Sequence, residues 1–171
     1  GPDNWLVAGT VGSGPDAGNL LLVRVDVPLA ISGSKMIAVP GGLFDPQRIL
    51  AAASGQAFYV VGTRDTGTGE EAHVVAVDAD LNLLWQKSYP LPDSFATRFR
   101  DAVLRSDSEL LCVGERDVGG GRLPIVMAVA TNLGLGNEIP LGAMLQGGWE
   151  SIREWDGAFI LLGVQETIIG D

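Results

Sequence analysis

Two short constellations in this 171-residue chain have the residue types to do chemistry. Arg64-Asp65 lies just past Gly62 and Arg116-Asp117 just past Gly114, each leading into a glycine-bearing loop, residues 66–71 and 118–121. A guanidinium beside a carboxylate on a loop can grip a carboxylate- or sugar-bearing ligand, the guanidinium in bidentate fashion. Loops on a rigid scaffold are also where binding and catalysis concentrate. If the connections 41–48, 92–100 and 142–150 share a face with these loops, they add Arg48, Arg98, Arg100 and Asp101. The candidate ligand-binding set is Arg48, Arg64, Asp65, Arg100, Asp101, Arg116 and Asp117. A plainer reading carries more weight: the same residues tie neighbouring structural units together through surface ion pairs worth ~0.2 to 1 kcal/mol each.

Other chemistry finds little to build on. His73 is the one histidine and falls among Val74, Val75 and Val77, so no second imidazole is at hand for a zinc site or an activated nucleophile, and it reads as structural. Cys112 is the one cysteine, which forbids an intrachain disulfide; inside Leu110-Leu111-Cys112-Val113-Gly114 it reads as a small buried hydrophobe. Asp78-Ala79-Asp80-Leu81-Asn82 resembles the start of a calcium loop. The sixth and twelfth positions, however, hold Leu83 and Tyr89 where glycine and glutamate are needed, and a hairpin turn explains the segment. The glycine loops lack the Gly-Lys-Ser/Thr ending of a phosphate cradle. No catalytic residue, metal or cofactor is assigned. With 11 Lys plus Arg against 21 Asp plus Glu, the net charge of -10 disfavours nucleic acid as a partner. Apolar stretches such as residues 20–23 and 159–162 are far short of the roughly 20 residues a membrane-spanning helix needs. Gly1-Pro2 reads as the remnant of a protease cleavage, and the compartment stays open.

The elements that must position these loops announce themselves by repetition. Apolar runs closed by glycine end at Gly9, Gly62, Gly114 and Gly163, spaced by 53, 52 and 49 residues. Val25-Asp26, Val77-Asp78 and Val129-Ala130 close a second run 16 or 17 residues further on. Two columns in phase mark an internal repeat, with units of about 4–55, 56–107 and 108–156 and a partial unit 157–171 after the two-residue remnant. Each unit divides into four short strands, in the middle unit roughly 48–53, 57–62, 73–78 and 83–89, and helical spacing is absent. A bulky residue stands four places before each glycine (Trp5, Phe58, Leu110, Phe159) and is expected to be a buried core column. Runs such as Val74-Val75-Ala76-Val77 are too apolar to have a wet face, as strands between stacked sheets are.

Residues 57–62 (Ala-Phe-Tyr-Val-Val-Gly), followed by 73–87 with Val77-Asp78 and Trp85-Gln86-Lys87, resemble the repeats of bacterial secreted and surface β-propellers. Those repeats run from a strand ending in Ala-Gly or Val-Gly, through an aliphatic strand ending in Leu-Asp or Val-Asp, to a turn and Trp-x-Lys. The first and third units lack the Trp and the third also lacks the Asp; WD40 and kelch signatures are missing. The resemblance implies an all-β array of four-stranded antiparallel blades and a scaffold for adhesion, binding or display, secreted or on the cell surface, occasionally an enzyme.

In such blades the innermost strand precedes the glycine-terminated one, here 48–53, 100–105 and 150–155. The count is thirteen strands, about three repeats plus one strand, which predicts a part of a larger propeller or a protomer that closes by self-association. The leading expectation is a non-enzymatic binding or structural module, with a small-molecule, glycan or protein ligand at the loop face around the channel mouth. Its alternatives are a propeller hydrolase or lyase acting on a glycan or small ester through loop carboxylates and arginines, and a self-assembling or engineered repeat fragment.

Overall fold

The computed structural model describes residues 4–12, 17–140 and 146–165. Gly1-Pro2, part of the 142–150 connection and residues 166–171 of the last unit lie outside the described residues. Within them the chain is all-β, with no helix. The thirteen described strands are β1 (Asn4–Thr10), β2 (Leu20–Asp26), β3 (Ala30–Ile37), β4 (Leu43–Ala51), β5 (Ala57–Asp65), β6 (Glu70–Asp78), β7 (Leu83–Tyr89), β8 (Ala96–Ser106), β9 (Glu109–Val118), β10 (Gly121–Ala130), β11 (Gly136–Glu138), β12 (Gly147–Trp155) and β13 (Ala158–Gln165). They form four antiparallel meanders in chain order: β1-β2-β3, β4-β5-β6-β7, β8-β9-β10-β11 and β12-β13.

The repeat has a geometric meaning. The residues four and two places before each glycine face the preceding sheet, and those three and one places before it face the next. Phe58 and Val60 pack towards the first sheet, against Leu6, Ala8, Leu20 and Leu22. Tyr59 and Val61 pack towards the third sheet, where they meet Leu110, Cys112, Ile125 and Met127. Leu111 and Val113 in turn meet Phe159 and Leu161 of the fourth sheet. Strict alternation thus serves two interfaces at once, because successive side chains of a strand point to opposite faces. It also explains why β6 and β9 are apolar on both sides.

The strands run further than their apolar patterns predict. β5 continues three residues past Gly62 because Thr63, Arg64 and Asp65 pair with Ala72, Glu71 and Glu70. Accordingly the glycines do not end the strands, as expected, but sit within them. A Cβ at Gly62 would lie 2.1 Å from the carbonyl oxygen of Asp45, at Gly114 1.9 Å from that of Arg98, and at Gly163 2.3 Å from that of Gly148. The preceding strand, β4, β8 or β12, presses a carbonyl onto each of these α-carbons. Gly9, in the edge strand β1, meets nothing within 4 Å. Each of these three strands also shifts register next to this contact, between Pro46 and Arg48, Phe99 and Asp101, and Trp149 and Ser151. These bulges break the period of two and hide the first half of each strand from a pattern search.

The expected core column holds in part. Leu110 is fully buried, Phe58 and Phe159 are half-buried against their neighbouring sheets, and Trp5 is 56% exposed. Phe58 and Trp5 share the wall of an open cleft of about 470 Å³ with Ile49 and Ala51, between the first two sheets. The column is therefore buried only to the extent that a preceding sheet covers it.

Sheet-to-sheet contact is reinforced from β7, the last strand of the second sheet. Trp85 donates its indole N–H to the Thr131 carbonyl at 2.8 Å, and the Tyr89 hydroxyl donates to the Gly134 carbonyl at 2.8 Å. Both bonds reach from β7 to the turn beyond β10. Gly134, at φ +60°, lies so close that a Cβ would stand 2.7 Å from the Trp85 ring.

Candidate functional site

The loops that follow the repeat glycines do gather on one face with the connections between sheets. Phe95 donates its backbone N–H to the Asp117 carbonyl at 2.9 Å, a Cβ at Gly69 would lie 2.9 Å from the Phe95 carbonyl oxygen, and Gly42 packs against Asp65 and Thr66. Beneath these loops, between the second and third sheets, is a cleft of about 280 Å³. Its polar wall follows from register. Asp45 pairs directly with Thr63, Asp65 pairs directly with Glu70, and Thr63 and Asp65 are two residues apart on β5, so all four share the face turned to the third sheet. Arg98 and Arg100 of β8 form the other wall, and Thr10, Leu43 and Phe44 complete the lining.

Beside the cleft lies an ion-pair cluster centred on Glu115, whose side chain is only 1% exposed. Its Oε1 accepts from Arg100 at 2.8 Å and from Arg98 at 3.4 Å, and its Oε2 accepts from Arg122 at 3.2 Å. A carboxylate so enclosed needs this many partners, since an unpaired buried charge is costly. Arg98 also donates to Asp117 at 2.8 Å and to Glu70, which links the third sheet to the second. Burial opposes the charge of Arg98, but Asp117 and Glu70 outweigh it and raise its pKa above the ordinary arginine value. Three polar atoms in this region have no hydrogen-bond partner although they are enclosed: Thr63 Oγ1, Arg100 Nε and Asp117 Oδ1. Thr63 is 4% exposed and lines the cleft.

The seven sequence candidates divide into three groups. Asp65 and Arg100 line the cleft, and Asp117 joins them through Arg98. Asp65 also closes its own loop, its Oδ1 accepting from the Gly67 N–H at 2.8 Å. Arg48 and Asp101 belong to a separate tie among β4, β8 and β12. Arg48, Asp101 and Ser151 each pair with the residue just before a repeat glycine, so they are equivalent positions of successive sheets. Asp101 Oδ1 lies 3.5 Å from Arg48 Nε; Oδ2 accepts from Ser151 Oγ at 2.9 Å, from the Ile152 N–H at 3.1 Å and from Arg153 at 2.5 Å. Burial would raise the Asp101 pKa, but the Ile152 N–H, Arg153 and Ser151 hold it below the usual carboxylate value. Arg64 and Arg116 are engaged elsewhere, the first with Glu71 at 2.5 Å and the Pro40 carbonyl at 2.6 Å, the second with Glu138 at 3.5 Å.

Asp45, Thr63, Glu70 and Glu115 were not among the candidates. One signal was present: Thr63 and Glu115 occupy the same repeat position, between the glycine and the arginine, where a hydroxyl in one unit becomes a carboxylate in the next.

His73 is 2% exposed, its Nδ1 2.8 Å from Ser88 Oγ and its Nε2 3.4 Å from Gln86 Oε1, with its ring edge-on to Phe44. Burial lowers its pKa to about 4, so it is neutral at physiological pH. Asp78 spends its carboxylate on its own turn, Oδ1 accepting from the Asp80 and Asn82 N–H groups at 2.9 and 2.7 Å. This is hairpin geometry.

Neither the models of known protein families nor the curated proteins compared with this chain match it. The reading of the site rests on its own geometry.

Proposed function

We propose that the chain is a β-propeller-type binding module whose four sheets are successive blades and whose ligand sits in the cleft beneath the loop face. The common direction of all three sheet interfaces and the innermost tie through Asp101 support the propeller arrangement. The observation that carries the binding role is the polar cleft itself, about 280 Å³, where the carboxylates of Asp45, Asp65 and Glu70 face Arg98 and Arg100.

The lining favours a neutral, hydroxyl-rich ligand over an anion. Asp45, Asp65 and Glu70 outnumber Arg98 and Arg100, and Arg98 is already committed to Glu70, Asp117 and Glu115. Among the described residues Asp45 and Asp65 have no cationic partner; Gln47 Nε2 donates to Asp45 Oδ2 and the Gly67 N–H to Asp65 Oδ1, which leaves the other oxygen of each to accept from a sugar hydroxyl, while Arg100 supplies a donor. Heteronuclear NMR titration with neutral monosaccharides, and with a uronic acid as the anionic comparison, tests the reading. Shifts confined to the amides around Thr63, Asp65 and Arg100, lost in Asp65→Asn, support it. A spectrum unchanged by every sugar, or perturbed by the uronic acid alone, overturns it.

A second reading is a propeller hydrolase on a glycan, favoured by Asp45 and Asp65 facing one cleft. Turnover of chromogenic glycosides that vanishes in both Asp45→Asn and Asp65→Asn would establish it over simple binding. Beyond the ligand, both outermost sheets expose apolar faces that call for further sheets of the same kind.

A further inference from the structure

The two outermost faces are the two halves of one repeated interface. On the first sheet Val7, two places before Gly9, is more than half exposed, with Leu21 beside it at 37%, and Trp5, four places before Gly9 on the edge strand, is also more than half exposed while bordering the cleft to the second sheet. On the fourth sheet Ile160 and Leu162, three and one places before Gly163, are likewise more than half exposed, as is Val164. At every internal interface the residues three and one places before a glycine of one sheet face those four and two places before a glycine of the next: Leu6 and Ala8 towards Phe58 and Val60, Tyr59 and Val61 towards Leu110 and Cys112, Leu111 and Val113 towards Phe159 and Leu161. Ile160 and Leu162 are thus the first half of a fourth such interface, and Trp5 and Val7 are the second half.

We infer that these faces bind each other between two copies of the chain, head to tail, with Ile160, Leu162 and Val164 of one copy on Trp5, Val7 and Leu21 of the other. The proposal names the partner and rests on the repeat register, independently of any ligand in the cleft. Two further points agree. Contiguous exposed apolar patches of this kind mark interaction surfaces. The faces differ from one another, so the contact is heterologous, and two copies close a ring only if each supplies both halves.

Sedimentation velocity over a micromolar concentration series reads the association, with Val7→Asp and Leu162→Asp as probes. Both positions are exposed, so each variant is expected to keep the circular dichroism spectrum and thermal transition of the parent. The parent chain is expected to associate, and each single variant to lose the closed species. An equimolar mixture of the two variants is expected to form a 1:1 complex that grows no further, because the Leu162→Asp copy retains an intact first face and the Val7→Asp copy an intact last face. A parent chain that stays monomeric throughout overturns the proposal. So does association abolished by one substitution and untouched by the other, the signature of a face binding its own like, or a mixture in which no complex forms.

Discussion

The α-carbon of Gly114 lies under the carbonyl oxygen of Arg98, so close that a methyl group there would stand 1.9 Å from the oxygen. The relationship recurs at Gly62 with Asp45 and at Gly163 with Gly148, and in each case the carbonyl belongs to the bulged segment of the preceding strand, β4, β8 or β12. The glycine repeat legible in the sequence is therefore a record of strand-to-strand approach.

It follows that Gly62→Ala and Gly114→Ala should each destabilise the fold by about 1 to 3 kcal/mol or more, as overpacking that forces the backbone to move does. Gly9→Ala should stay within about 0.5 kcal/mol, since its Cβ enters open space. Urea denaturation of the three variants makes the comparison. Equal losses at all three positions would show that the glycines serve chain flexibility instead of close approach.

Asp101 joins β4, β8 and β12, and removing its carboxylate leaves the enclosed Ile152 N–H without its acceptor, while Arg48 and Arg153, 40% and 58% exposed, can turn to water. Asp101→Ala should cost about 1 to 3 kcal/mol, the penalty for a buried donor left unsatisfied. Its folded pKa lies below the ordinary 3.8, so its contribution is present above that value and is lost as pH falls through the depressed folded value. Acid titration of unfolding free energy should show a shallower decline below about pH 4 in Asp101→Asn than in the parent.

The fold class and the phase of the repeat were legible because β5, β6 and β9 are short, near-continuous apolar runs and the glycines fall in one column. The first halves of β4, β8 and β12 were not, since one extra residue at each bulge reverses which side chains face inward. Of the cleft, Asp65 and Arg100 could be named from their loops, whereas Asp45 and Glu70 enter it only through pairing with Thr63 and Asp65. Glu115 escaped for a related reason. A lone glutamate after a glycine looks like surface, and only the convergence of Arg98, Arg100 and Arg122 from two other strands explains how it can be buried.

Cys112 is fully buried between the second and third sheets, and burial pushes its thiol pKa well above the ordinary value. A thiol held in that state is a poor nucleophile. An aromatic disulfide reagent should accordingly label it only at the rate of unfolding, with full reactivity restored in denaturant. Prompt labelling of the native chain would place the second sheet interface in rapid opening.

His73 gives the stability a second, separable pH dependence. Its imidazole is neutral in the fold, with a pKa lowered by burial from 6.5 to about 4, while the unfolded chain takes up a proton near the ordinary value. Between those values the unfolded state binds more protons than the folded state, so stability rises with pH across the window and is flat with respect to this group above it. Asp101, held below its ordinary value, titrates below that window, so the stretch from about pH 5 to about pH 6.5 reads the histidine. Across that stretch the parent should gain on the order of 1 to 2 kcal/mol. His73→Gln, which keeps a hydrogen-bonding side chain beside Ser88 but cannot be protonated, should lose that gain while retaining the steeper fall at lower pH. Unfolding free energies measured at about pH 5 and about pH 7 for both proteins decide it. An unchanged slope in the variant would mean that His73 is reached by protons without unfolding, and that the contact between Phe44 and the imidazole opens in the native state.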